Sequence, residues 1–245
     1  MQRAANLIMC ILCLIFVISS LRFSLSDRPE TLIPAPIFAL SQQLDPDGLA
    51  EIFLRPEHPA MWLLLVALWT GLTIFGLSHL LPRRSAPDYN LTGAPLLGSA
   101  FASGAIWPWI AVWAQLTGFL LCVSMLLALI AAGSSTLSDP RLARHPMIGM
   151  LTGWATIVTF AAFASFLSMV TPLPDEIMAL AAALLSCGAT IAIQLRMPKN
   201  PTYTGTVMFA LLATAATMIE SNPMIAVIAV LTISALTFLL VRVTT

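Results

Sequence analysis

Apolar residues in this chain come in long, nearly unbroken runs, unlike the alternating or every-third-or-fourth patterns of half-buried strands and water-facing helices. Ala60–Leu81 and Met147–Val170 contain no Asp, Glu, Lys or Arg. An apolar run of about 18 residues or more with few charges is long enough to cross a bilayer as a helix. Eight such segments are predicted, over residues 6–21, 60–81, 95–114, 116–132, 147–168, 177–195, 203–219 and 224–241, with seven or nine as the neighbouring counts. The stretch 95–132 is too long for one crossing of a core ~30 Å thick, so it should fold back near Gln115. Glu220-Ser-Asn-Pro223 predicts a second tight turn, because Asn-Pro is turn chemistry and Pro223 suits a first helical position.

Composition agrees with this pattern. Of 245 residues, 59% are hydrophobic and 9% charged, and the mean hydropathy is +0.93. Soluble domains carry roughly a quarter of their residues as charges, so too few are present here to cover a water-facing surface. The fold class is therefore an all-α integral membrane protein, a bundle of about eight transmembrane helices in one domain. With the N-terminus inside, Arg3, Arg83, Arg84, Arg141, Arg144, Arg196, Lys199 and Arg242 fall on the cytoplasmic side, against Arg22, Arg28 and Arg55 outside. Eight basic residues against three is a positive-inside bias. It predicts both termini in the cytoplasm and a bacterial-type inner membrane as the location.

The first apolar segment has two readings. Arg3 followed by Leu7–Ile18 fits an uncleaved anchor or a signal peptide, and Ser19-Ser20-Leu21-Arg22 offers no A-x-A-like cleavage site. Residues 24–59 are polar, Pro-rich and hold six of the eleven acids, which predicts an extracytoplasmic loop. Within it, 47–53 reads as a short amphipathic helix. The loop as a whole reads as a lid or docking element, or as a linker. Cys10, Cys13, Cys122 and Cys187 all lie inside crossings and read as small packing residues, since no His or further Cys accompanies Cys10 and Cys13.

Chemistry is sparse. Charged residues inside a membrane mark ion paths and proton relays, and no crossing interior contains one. No metalloprotease, phosphate-loop or serine-hydrolase motif occurs, nor a basic patch for nucleic acid. No catalytic residue and no metal site are therefore assigned. His58, beside Glu57 at the mouth of the second crossing, is a candidate ligand contact. The informative residues are the six tryptophans, all between Trp62 and Trp154. An aromatic belt at the headgroup level accounts for Trp62, Trp109 and Trp113. It does not account for Trp69 and Trp154, each about 10 Å into its helix at 1.5 Å per residue. Trp62 and Trp69 share a helix face, as do Trp109 and Trp113, and Pro108 should kink or loosen the helix that carries it. Buried aromatics on converging helices suit a flat apolar ligand, or serve as plain packing.

Residues 146–159, with Pro146, Gly153, Trp154 and small neighbours, resemble the proline, Gly-Trp and small-residue helix of the tryptophan-rich sensory proteins, the TspO or translocator protein family, in its longer form. Ile106-Trp107-Pro-Trp109-Ile-Ala-Val-Trp113 and the Leu/Met-rich 120–130 are similar to that family's adjacent helices, and Pro56–Pro59 leading into Trp62 and Trp69 sits where its proline-rich entry would be. Ser103 and Gly104 stand where the family has Asn, and no Asn follows Ala161-Ala162. The resemblance, over about residues 53–242, implies a helical bundle that binds tetrapyrroles or sterols beneath a first-loop lid, acting as sensor, carrier or regulator. It carries ligand contacts onto Trp69, Trp107 and Trp154, with a porphyrin or other tetrapyrrole as the implied ligand. The alternative is an accessory structural subunit of a respiratory or photosynthetic membrane complex. Gly149-x-x-x-Gly153 and the small residues of 179–183 support helix association in either case, within the chain, as a homodimer or in a larger assembly.

Overall fold

The structure, a computed structural model, describes residues 2–26, 53–56, 58–80, 93–112, 114–134, 142, 144–172, 174–197, 200–219 and 223–244. Among them it contains eight long helices and no strand: α1 (Gln2–Leu25), α2 (Pro59–Ser78), α3 (Gly93–Ala111), α4 (Gln115–Gly133), α5 (Pro146–Val170), α6 (Asp175–Arg196), α7 (Pro201–Met218) and α8 (Pro223–Thr244). Each lies over a predicted crossing. α1, α2, α4 and α5 are long and apolar enough to cross a membrane, and α6 and α8 contain shorter apolar stretches, Leu180–Arg196 and Ala226–Phe238. α3 and α7 are diluted by Gly, Ser and Thr.

The reversal expected near Gln115 lies between Ala111, the end of α3, and Gln115, the start of α4. Pro223 opens α8 as expected, while the turn 220–222 lies outside the described residues. So do 27–52, Glu57 and Trp113, and with them most of the expected loop and of its helix over 47–53. α3 continues past the buried Pro108 for one further turn.

Two helices start on the same device. His58 and His145 are the N-caps of α2 and α5, each followed by Pro at the first helical position. Each imidazole Nδ1 accepts a backbone N–H, from Ala60 at 3.3 Å and from Met147 at 3.2 Å. Proline tolerates that position because its missing N–H would have had no helical partner, and the ring nitrogen satisfies the next orphan donor.

α5 is the hub. It packs against α2, α4, α6 and α7, and fifteen of its residues are buried. α1 lies on α2 and α3, and α8 closes the bundle on α6 and α7. Long-range contacts run antiparallel between successive helices: Trp69 meets Ser20, Ser103 meets Ser124, Thr159 meets Cys122 and Gln194 meets Thr204. One end of the bundle carries Arg22, Arg55 and His58. The other carries Asn6, His79 and His145.

The Gly149-x-x-x-Gly153 face does bring two backbones together. Gly149 lies against Asn200, and a Cβ on Gly153 would stand 2.9 Å from the Tyr203 carbonyl oxygen. Only a side chain of hydrogen lets α7 pass that close. Outward faces of α1, α2, α4, α6 and α8 are apolar: Ile18, Leu63, Ile74, Leu127, Leu184 and Leu231 are each more than half exposed. Such a surface suits hydrocarbon, where lipid replaces the polar shell of a soluble protein.

Candidate functional site

The tryptophans predicted from the sequence lie around α1. Trp69 of α2 donates its indole N–H to Ser20 Oγ at 3.1 Å and meets Trp62 edge-on at 6.2 Å, so the shared face expected for that pair is present. Trp109 of α3 donates to Ser19 Oγ at 2.9 Å and packs edge-on to Phe23 at 5.3 Å. It is 39% exposed near the Arg22 end, as a belt residue would be. Adjacent serines of α1 thus satisfy tryptophans from two different helices.

Trp107 and Trp154 differ from these. Both are buried completely, at 0% and 1% exposure, and neither indole Nε1 has a hydrogen-bond partner among the described residues. Leaving a buried donor unsatisfied costs about 1–3 kcal/mol, so these N–H groups call for an acceptor. In front of Trp154 stands Phe16 of α1, edge-on at 6.0 Å and 89°. Phe16 also meets Phe101 at 6.1 Å, and it fills a slot that a side chain at Gly104 would occupy. The glycine at 104 therefore makes room for an aromatic ring of the chain itself. No ring contact among the described residues joins Trp69, Trp107 and Trp154 to one another, although all three are buried. His58 is placed apart from them, capping α2 one turn before Trp62.

At the other end, His79 donates from Nδ1 to the Phe75 carbonyl at 2.7 Å, and the imidazoles of His79 and His145 flank the Phe75 ring at 4.7 and 4.9 Å. The cysteines are packing residues: Cys10, Cys13 and Cys122 are buried, and Cys13 Sγ donates to the Leu72 carbonyl at 3.1 Å. No group of three or more His, Cys, Asp or Glu is positioned to hold a metal ion among the described residues.

A second polar feature was not expected. Between α5, α6 and α7 runs a seam of buried hydroxyl and amide groups. Tyr203 OH lies 3.3 Å from Thr156 Oγ1, with the Thr190 hydroxyl turned to the same oxygen. Thr204 donates to Gln194 Oε1, Gln194 Nε2 donates to the Met197 carbonyl at 3.2 Å, and Asn200 Nδ2 donates to the His145 carbonyl at 3.1 Å. Ser186, Thr190 and Gln194 recur every four residues on α6, and that spacing was the available signal. Toward the Arg22 end the seam leads to a cleft of about 60 Å³ between α5, α6, α7 and α8, bordered by Phe53, Phe160, Ala182, Ser186, Thr214 and Thr232. None of the predicted tryptophans lines it.

No family model, curated protein or solved structure compared with the chain matches it.

Proposed function

We propose that the chain is a TspO-like membrane protein that binds a hydrophobic planar ligand, of tetrapyrrole type, and acts as a sensor, carrier or regulator without catalysis. The observation that carries this reading is the pair of unpartnered indole N–H groups. Two of the three tryptophans on which the resemblance places ligand contacts are buried donors with no acceptor among the described residues. A ligand with carboxylate, carbonyl or ring-nitrogen acceptors would satisfy them and stack on the same faces. Phe16 holds that space, so binding requires α1 to yield. Sites for drug-sized ligands occupy about 300–1,000 Å³, so moving Phe16 away from Gly104 supplies part of that volume and a shift of α1 must supply the rest.

In this proposal all eight helices cross a bacterial-type inner membrane with both termini in the cytoplasm. The antiparallel course of successive helices and the eight-to-three distribution of basic residues support it. Residues 24–59, with His58 at their end, then lie outside.

One observation favours the alternative, an accessory subunit of a larger membrane complex. A Cβ added at Gly188 on α6 or at Gly205 on α7 would meet nothing within 4 Å, so both present bare backbone on which another helix can seat. Isolation in mild detergent separates the two readings. The binding protein migrates alone or as a homodimer and takes up protoporphyrin. The accessory subunit co-migrates with other chains and takes up none.

A further inference from the structure

The cleft between α5, α6, α7 and α8 has the make-up of a ligand site of its own. Its walls are apolar, from Phe53, Ile157, Phe160, Ala182 and Ala229, and its polar atoms are three hydroxyls, on Ser186, Thr214 and Thr232. Concave sites for small molecules are built this way, with mostly apolar walls and a few placed polar groups. Two of the hydroxyls are already engaged. Ser186 donates to the Ala183 carbonyl at 2.8 Å and Thr214 to the Ala210 carbonyl at 2.9 Å. Thr232 is 5% exposed and has no hydrogen bond within the described residues, although other threonines of the same bundle bond back to their own helix. A hydroxyl of a buried threonine that opens onto a cleft without a partner points to an occupant with a polar atom at that place.

Size and setting narrow the occupant. A volume of about 60 Å³ lies well below that of a pocket for a whole drug-sized ligand, about 300–1,000 Å³, so the cleft has room for a short stretch of a slim chain and none for a fused ring system. Neighbours of the lining residues, Leu184, Leu185, Leu212, Val230 and Leu231, are all more than half exposed, so the cleft opens among side chains that face hydrocarbon. Thr232 lies nine residues into α8, about 13 Å from its start at 1.5 Å per residue. That is deeper than the ester level of a bilayer lipid, so an ordinary phospholipid would bring no oxygen there. Phe53, pinned beside α1 through Leu54, whose carbonyl accepts from Ser24, and through Arg55, which donates to the Phe23 carbonyl at 3.3 Å, borders the cleft at its Arg22 end.

We propose that this cleft is a second binding site, separate from the tryptophan region, for an unbranched alkyl chain that enters from the bilayer and carries a hydroxyl or carbonyl oxygen to Thr232. The proposal does not depend on the tetrapyrrole reading. The test uses the full chain in lipid nanodiscs and a long-chain alcohol with a photoreactive diazirine beside a mid-chain hydroxyl. The same chain without the hydroxyl, and a phospholipid carrying that plain chain, serve as comparators. Expected is saturable labelling near one per chain, mapped to the α6 and α8 peptides that contain Ser186 and Thr232. Thr232→Val keeps the shape of the side chain and should weaken the alcohol about fivefold, within the range of a neutral hydrogen bond, while leaving the plain chain unaffected. Ala229→Phe should remove labelling of both peptides. Labelling that rises without saturation over all lipid-facing helices overturns the proposal. So does a Thr232→Val chain that takes alcohol and plain chain as the parent does, and this arm decides even if Ala229→Phe fails to fold.

Discussion

The two sides of α5 solve the same problem in different ways. On the α1–α4 side, contacts are made by rings: Phe16 against Trp154 and Phe101, Trp62 against Trp69, and Phe23 against Trp109. On the α6–α8 side they are made by hydroxyls, amides and close backbones, through Tyr203, Thr156, Thr190, Gln194 and Gly153. In a bilayer no hydrophobic force drives helices together, because lipid is as apolar as leucine. Shape and hydrogen bonds must do it. The hydroxyl side uses both, with backbones in contact and polar groups paired. The ring side relies on interlocking rings, adds hydrogen bonds from Trp69 and Trp109 to Ser20 and Ser19, and leaves Trp107 and Trp154 as donors without a partner among the described residues.

The largest effect should come from breaking the close approach on the hydroxyl side. Gly153→Leu drives a side chain into the Tyr203 backbone and Thr206, and should cost about 1–3 kcal/mol by overpacking, or more where backbone must move. An unchanged melting midpoint in detergent would mean that α5 and α7 do not pack through this face. Next is Gln194→Leu, which strands the Thr204 hydroxyl in the interior and should cost about 1–2 kcal/mol, read in the same melting experiment. Tyr203→Phe removes one hydroxyl from a shared network and should cost about 0.6 kcal/mol, the size typical of hydrogen bonds between membrane helices. If it costs as much as Gly153→Leu, the seam and not the backbone contact holds the two helices together.

The ring side gives a smaller and more diagnostic contrast. Trp69→Phe discards a hydrogen bond to Ser20, whereas Trp154→Phe discards only an unsatisfied donor. With similar loss of ring area, Trp69→Phe should therefore be the more destabilising by about 1 kcal/mol. Equal losses would indicate that the Trp154 N–H has an acceptor in solution.

The helices were legible because hydrocarbon imposes a simple rule on sequence, and every run of apolar residues became a helix with ends displaced by only a few positions. The Trp62–Trp69 pair was legible from its seven-residue spacing. Phe16 was not, since nothing distinguishes it from the other apolar residues of 7–18 until α1 is laid against Gly104. The seam was only half legible. Ser186, Thr190 and Gln194 mark one face of α6 by their spacing, but which helices that face meets depends on the arrangement of α5 and α7. The cleft depends on four helices and Phe53 at once, and no local pattern encodes it.

The central claim is that the unpartnered indoles of Trp107 and Trp154 belong to a ligand site, and titration of the purified chain with protoporphyrin tests it most directly. Tryptophan fluorescence should be quenched saturably, near one ligand per chain. Trp154→Phe should weaken binding about tenfold, from lost stacking and the lost N–H, and Trp62→Phe should leave it almost unchanged. Phe16→Ala, which empties the space beside Trp154, should tighten it. Quenching that rises in proportion to ligand without saturation, alike in the parent and all three variants, would contradict the claim and leave the accessory-subunit reading in its place.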